Sequence, residues 1–169
     1  MHNKARYLTH AAVIAAMYAV LTHLQNLLLP GSATWAIQCR LSEALCVLAF
    51  FTPAAIPGLT IGCLVFNMTY AAALPLDWAV GSLATLAATA AMWFSRRITF
   101  RGYPWLGMLM PALANAILVG WELTVYIGGG FFLNALYVAL GELAVLLVPG
   151  SLLYLAILRR NLQGKLFSC

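Results

Sequence analysis

Residues 132–158 read FLNALYVALGELAVLLVPGSLLYLAIL, an apolar run with one charged side chain, Glu142. A helix of about 20 apolar residues crosses the hydrocarbon core of a bilayer, so this run is long enough to span a membrane. The rest of the chain has the same character, because 64% of its residues are hydrophobic and 8% are charged. Soluble domains average about 45–50% apolar and about 25% charged residues. We therefore predict an integral membrane protein.

Five further apolar segments precede this run, and Pro, Gly or basic residues separate them. The 169 residues leave room for about six spans and short loops. Strand-like alternation is absent, so we predict an all-α membrane protein, a compact bundle of six transmembrane helices in one domain, residues 1–169. The second segment is short for a full crossing. The first exceeds a signal sequence and is predicted to be a retained helix. The predicted spans are Tyr7–Leu29, Leu41–Phe51, Pro57–Ala73, Asp77–Phe94, Trp105–Ile127 and Phe132–Leu158.

The net charge of +5 comes from basic residues that lie between or beyond the apolar segments. Such clusters mark cytoplasmic loops rather than a nucleic-acid surface. With a cytoplasmic N-terminus, six spans place every cluster and both termini in the cytoplasm, whereas five or seven do not. Arg40 then falls at the outer surface. The clusters are Lys4/Arg6, Arg96/Arg97/Arg101 and Arg159/Arg160/Lys165.

All four acidic residues lie at or inside predicted spans, in the outer half of this topology: Glu43, Asp77, Glu122 and Glu142. An ionisable side chain inside a membrane costs several kcal/mol, so each is a candidate functional residue. Asp77 also fits a helix cap, and Glu43 fits a first-turn carboxylate paired with Arg40.

Other polar and aromatic residues border the same outer zone. Asn115, Glu122 and Tyr126 fall near one helix face, and Asn134 lies about two turns outward of Glu142. The aromatic residues fit either an interfacial belt or the stacking of a flat ligand. These aromatic residues are Trp35, Trp78, Trp121, Tyr126 and Phe131.

Small residues form a ridge on the first predicted helix. Ala11, Ala15 and Ala19 recur every four residues, with Ala12 and Ala16 beside them. A ridge of this kind permits close helix contact, either inside the bundle or with a partner protein.

Signatures of several enzyme classes are missing. The sequence has no GxxxxGK[ST] phosphate loop, no HExxH and no GxSxG, and its cysteines lack metal-ligand spacing. Cys46 and Cys63 are predicted to be small core residues. We therefore expect no catalytic residue, no metal and no cofactor, and a bundle that binds rather than hydrolyses.

Four segments together resemble the QueT family: IQCRLSEAL at 37–45, FFTPAAIPGL at 50–59, IGC at 61–63 and GSLATL at 81–86. These proteins are the queuosine-precursor S components of energy-coupling factor (ECF) transporters in bacterial cell membranes. The resemblance implies a six-helix subunit that captures a 7-deazaguanine such as preQ1, or queuine, near the outer face. It also implies docking, through the alanine ridge, onto a transmembrane T subunit that works with two cytoplasmic ATPases.

The acids suit such a cargo, because a carboxylate accepts two adjacent donors of a guanine-like edge and a second acid suits a cationic amine. We expect Glu122 or Glu142 to accept the edge and Glu43 or Asp77 to face the amine. Arg40 is expected to hold Glu43. The remaining candidate contacts are Asn67, Trp78, Asn115, Trp121, Tyr126 and Asn134.

A different class of protein also fits the same acids. A small proton- or ion-translocating bundle would use Glu122 and Glu142 as relay groups. The sequence leaves both alternatives open.

Overall fold

The computed structural model describes residues 2–30, 32, 39–71 and 73–166, and the regular structure in these ranges is helical. Trp35, Ile37 and Gln38 lie outside the described residues. The all-α prediction is confirmed. The helices are α1 (His2–Leu28), α2 (Leu41–Phe50), α3 (Ala55–Thr69), α4 (Asp77–Ser95), α5 (Trp105–Tyr126), α6 (Phe131–Arg159) and α7 (Leu162–Leu166).

Four helices, α1, α4, α5 and α6, are long and apolar enough to cross a membrane. Their outer surfaces carry large apolar side chains such as Leu27, Phe94 and Phe132, which are at least 77% exposed. Apolar surface on this scale is stable in contact with lipid rather than water. The structure therefore supports the predicted membrane protein.

The predicted second span is a 3₁₀-helix, α2, of 10 residues. A 3₁₀-helix rises about 2.0 Å per residue, so α2 extends about 20 Å, whereas an α-helix of equal length would extend about 15 Å. Its residues from Ser42 to Phe50 are all buried. It lies at the centre of the bundle and contacts α1, α3, α4, α5 and α6. Because a 3₁₀-helix rises further per residue than an α-helix, this short segment extends further through the bundle, where other helices surround it.

The close approach of α1 and α3 depends on two glycines of α3. A Cβ on Gly58 would lie 2.8 Å from the Ala11 carbonyl oxygen, and one on Gly62 would lie 2.7 Å from Tyr18 Cβ. Small residues let helix backbones meet in this way. On α1, Ala11 and Ala19 are buried and Ala15 is half-buried. Internal packing therefore accounts for this part of the alanine ridge.

Helix α6 contains a wide π turn at Leu146–Gly150 that includes Pro149. Proline has no N–H to donate, and a π turn accommodates the missing hydrogen bond without ending the helix. The turn packs against α2, since a Cβ on Gly150 would lie at the ordinary contact distance of 3.5 Å from Val47 Cγ1.

The bundle has two chemically different ends. We call the end that carries Leu28, Leu41 and Asp77 the acidic end, and the end that carries Phe50, Ser95 and Arg159 the basic end. The core toward the basic end is apolar, and Met92, Met108 and Leu146 lie within it. The buried charged side chains lie toward the acidic end.

A candidate binding site built from buried acids

Four helices bring the four acids of the chain into one buried group. Glu43 lies on α2, Asp77 on α4, Glu122 on α5 and Glu142 on α6, and each is at most 5% exposed. Arg40, which is also buried, is close enough to interact electrostatically with all four. We call these five residues the acid cluster. The sequence predicted each member as a candidate, and the structure brings them together.

Arg40 occupies the position before α2 with an extended backbone. Its guanidinium lies 5.7 Å from the centre of the Phe66 ring and 4.0 Å from Cys63 Sγ. Gly81 makes room for the neighbouring Asn67, because a Cβ at that position would lie 2.8 Å from Asn67 Nδ2. Aromatic and sulfur contacts therefore add to the interactions with the acids that hold the one buried arginine among the described residues.

Glu43 already has a donor at each carboxylate oxygen. The Tyr18 hydroxyl donates to Oε1, and the Cys46 thiol donates to Oε2 at 3.1 Å. The sequence analysis assigned neither donor to Glu43, although a tyrosine in the middle of an apolar helix needs a partner for its hydroxyl. Glu43 therefore belongs to the framework of the site, with Tyr18 and Cys46 as its hydrogen-bonding partners.

Asp77 is also engaged by its surroundings. Its Oδ2 accepts a hydrogen bond from the Leu74 N–H at 2.7 Å, and its backbone carbonyl accepts one from Asn67 Nδ2 at 2.8 Å. The position before α4 is taken by Leu76, so Asp77 braces the loop that precedes α4 instead of capping that helix. Its carboxyl also lies within hydrogen-bonding range of the Glu122 carboxyl.

Glu122 and Glu142 differ from the first two acids. Within the described residues, neither oxygen of Glu122 has a donor, and Oε2 of Glu142 has none. Two carboxyls such as Glu122 and Asp77 can bond to each other only when one of them carries a proton. Buried polar atoms without partners cost about 1–3 kcal/mol each. Apart from a proton shared between Glu122 and Asp77, these three oxygens therefore lack a donor among the described residues.

Two buried amides add one acceptor and one donor to this set. Asn67 Oδ1 and Asn115 Nδ2 have no partner within the described residues. The orientation of Asn67 follows from its neighbour, because the Asp77 carbonyl can only accept and Nδ2 must face it. The acid cluster with Asn67 thus suits a compact ligand that is rich in donors, and Asn115 lies two turns from Glu122 on α5.

The remaining predicted residues lie elsewhere. Trp78 is 50% exposed and lines a surface groove between α3 and α4 with Asn67 and Tyr70. Trp121 and Tyr126 are exposed on α5, an arrangement that an interfacial belt requires. Asn134 is buried and donates to Thr124 Oγ1 and to the Gly128 carbonyl, both at 3.0 Å. It therefore ties α6 to the loop after α5.

Sequence reasoning missed Gln25, which fixes the entry to α2. Its Nε2 donates to Ser32 Oγ at 2.9 Å and to the Cys39 carbonyl at 2.5 Å, and its Oε1 accepts from the Leu41 N–H at 2.7 Å. The sequence feature that could have identified Gln25 is its position inside an apolar helix, because a buried side-chain amide needs several hydrogen-bonding partners. Gln25 thereby positions the segment that carries Arg40.

The sequence model of the QueT transporter family matches residues 8–159. Comparisons with curated proteins and with solved structures gave no match. The family match covers most of the chain, and a transport function is consistent with its long apolar helices. The chain belongs to the QueT transporter family, and it is a membrane transport protein rather than an enzyme.

Proposed function

We propose that this protein is the S component of a bacterial ECF transporter and that it captures a queuosine precursor, preQ1 or a queuine-like 7-deazaguanine, in the acid cluster. The oxygens of Glu122 and Glu142 that lack a donor among the described residues carry the proposal. Each costs free energy while it is buried without a donor, and a cargo that supplies donors removes that cost.

A 7-deazaguanine matches these unpaired atoms in kind. It offers a ring N–H beside an exocyclic amine, a pyrrole N–H and, in preQ1, a cationic arm. Its carbonyl oxygen is an acceptor for a donor such as Asn115 Nδ2. A carboxylate that accepts two parallel donors gives directional recognition as well as affinity. The excess of unpaired acceptors over donors favours this base over an acceptor-rich, anionic ligand.

We further propose that the chain is a single domain of six membrane crossings with both termini in the cytoplasm. The two shorter helices α2 and α3 would complete the four long spans. At about 2.0 Å and about 1.5 Å per residue they extend about 20 Å and about 22 Å, which locally thinned lipid accommodates. The exposed basic residues Lys4, Arg97 and Arg159 all belong to the basic end, as cytoplasmic loops require.

The partner in this proposal is a T subunit with two ATPases, docked near the basic end. An apolar groove of about 320 Å³ separates α1 from α6, with Leu48 of α2 among its lining residues. Ala12 and Ala16 are exposed on α1, unlike Ala11 and Ala19. An apolar helix of a T subunit fits this groove, and Ala12 and Ala16 offer small exposed residues on another face of α1.

The proton- or ion-relay alternative receives less support from the buried residues. On α4, the hydroxyls of Thr85, Thr89 and Ser95 donate to carbonyls of their own helix. The core around Met92 and Met108 is apolar. A relay from the acid cluster would have to cross this layer.

Calorimetric titration of the purified protein with preQ1, queuine and guanine tests the proposal. We expect saturable binding with a dissociation constant below about 10 μM, or roughly −7 kcal/mol. Adenine is the matched control, because it presents a different order of donors and acceptors. Weaker binding of all three guanine-like ligands, or equal binding of adenine, contradicts the proposed cargo.

A further inference from the structure

The groove between α1 and α6 is open because these two helices do not pack against each other. Within the described residues, no Cα atom of α1 lies within 8 Å of a Cα atom of α6 or α7. The axes of packed helices lie about 8–10 Å apart, which brings some of their Cα atoms much closer than that. The two helices therefore leave a gap of about 320 Å³ that no described side chain fills.

The walls of this groove are apolar. Apart from His10, the described residues that line it are all hydrophobic. Two of them, Val13 and Met17 of α1, are 53% and 43% exposed. Water in such a groove finds almost no hydrogen-bonding partner. A lipid tail is as apolar as leucine and fills the groove without this loss, so the walls suit a hydrocarbon chain.

An arginine follows each wall of the groove at the basic end. Arg6 lies four residues before His10 on α1, and Arg160 lies three residues after Ile157 of α6. The backbone N–H of Arg160 still donates to the Ala156 carbonyl at 3.1 Å, so Arg160 continues the last turn of α6. Residues three or four apart on a helix share a face, and both arginines are exposed. Each wall thus ends in a positive charge.

No acidic side chain neutralises these two arginines. The chain has four acidic residues, and all of them lie in the acid cluster toward the other end. A guanidinium group binds a phosphate through two parallel hydrogen bonds. Basic pockets between transmembrane helices bind anionic lipid headgroups in this way. Apolar walls that end in two arginines therefore match both parts of an anionic phospholipid.

We propose that this groove binds one anionic phospholipid from the membrane leaflet at the basic end. An acyl chain lies between α1 and α6, and the phosphate lies at Arg6 and Arg160. The acid cluster takes no part in this site, so lipid binding does not depend on the cargo. A T subunit that docks in the same groove displaces the lipid, and this consequence alone rests on the function proposed above.

Native mass spectrometry in detergent tests the site by titration with phosphatidylglycerol, which is anionic, and phosphatidylethanolamine, which is zwitterionic, with identical acyl chains. We expect the wild-type protein to bind one phosphatidylglycerol about ten- to thirtyfold more tightly, since each basic residue contributes about fivefold. Arg6→Gln and Arg160→Gln should each lower this preference by about fivefold. Arg97→Gln is the matched control, because Arg97 is also exposed at the basic end but follows α4, and no described residue of α4 or α5 lines the groove.

Two valines of α1 provide a matched test of the walls. Val13 and Val20 are both exposed, and of these two Val13 lines the groove. Val13→Trp should weaken the binding of both lipids, because the larger side chain occupies the space of the acyl chain. Val20→Trp should leave lipid binding unchanged.

Three outcomes contradict the proposed lipid site. They are equal binding of the two lipids by the wild-type protein, an equal loss of preference in Arg97→Gln, and lipid binding by Val13→Trp as tight as that by Val20→Trp. The wild-type comparison decides the matter even when a variant does not fold. Calorimetry with preQ1 on the same preparation tests the proposed function separately, because a failure to bind cargo leaves the lipid result unchanged.

Discussion

The Tyr18 hydroxyl of α1 donates a hydrogen bond to Glu43 Oε1 of the central helix α2. Both residues are at most 2% exposed, and the Tyr18 Cβ is also the atom that a side chain on Gly62 would meet. One tyrosine therefore joins three helices beside the acid cluster. Its hydrogen bond holds Glu43 in the framework, and its backbone sets how closely α1 approaches α3.

Tyr18→Phe removes the donor and leaves a buried carboxylate oxygen unpaired. We expect the free energy of unfolding to fall by about 1–3 kcal/mol. Thermal unfolding in detergent measures the change, and Tyr126→Phe is the control because Tyr126 is exposed. An unchanged melting temperature for Tyr18→Phe would show that the hydrogen bond contributes nothing to stability.

Gly62→Ala tests the contact between α1 and α3. The added Cβ would lie 2.7 Å from Tyr18 Cβ and 2.8 Å from the Ala15 carbonyl oxygen, so the helices must separate. Overpacking of this kind costs about 1–3 kcal/mol. Gly164→Ala is the control, because a Cβ there meets no atom of the described residues within 4 Å. Equal stability of the two variants contradicts the packing described here.

Asn134→Ala separates loop positioning from cargo contact. The change removes two hydrogen bonds that tie α6 to Thr124 and to the Gly128 carbonyl. We expect a loss of about 1–3 kcal/mol in stability, since bonded groups lose their partner. Proteolysis of the loop after α5 should become faster, whereas cargo affinity should change less than in Glu122→Gln. A larger effect on affinity than that of Glu122→Gln would make Asn134 a principal cargo contact.

Bulky residues on α1 test the proposed docking surface. Ala16→Leu changes an exposed position, so we expect co-purification with a T subunit to be lost while cargo binding is kept. Ala19→Leu changes a buried position and should lower stability instead, by about 1–3 kcal/mol from overpacking. If Ala16→Leu assembles normally, the exposed stripe on α1 is not the docking surface.

The acids could be located from sequence because a charge inside an apolar run has few explanations. Glu142 and Glu122 stood out for this reason, and both are buried in the acid cluster. Their hydrogen bonds could not be predicted, since these depend on side chains from other helices. Glu43, expected to face an amine or pair with Arg40, receives its hydrogen bonds from Tyr18 and Cys46.

The exposure of the aromatic residues, unlike the location of the acids, could not be predicted from the sequence. Position near the end of a span allowed Trp78 and Trp121 either to stack on a ligand or to lie at the interface. Both side chains are about half exposed. The rotation of each helix about its own axis decides this exposure, and the sequence does not reveal the rotation because apolar residues occur on every face of the helix. The 3₁₀ geometry of α2 could not be predicted from its own residues either. This helix packs against five other helices, and the sequence does not give their positions.

Calorimetry of Glu122→Gln with preQ1 tests most directly whether the unpaired carboxylate of the acid cluster binds the cargo. Gln keeps the shape of the side chain but replaces one acceptor with a donor and removes the charge. We predict that affinity falls by about tenfold or more while the melting temperature stays the same or rises, because the change removes one of two neighbouring buried carboxyls, Glu122 and Asp77. Unchanged affinity for preQ1 in a folded Glu122→Gln protein would contradict the account.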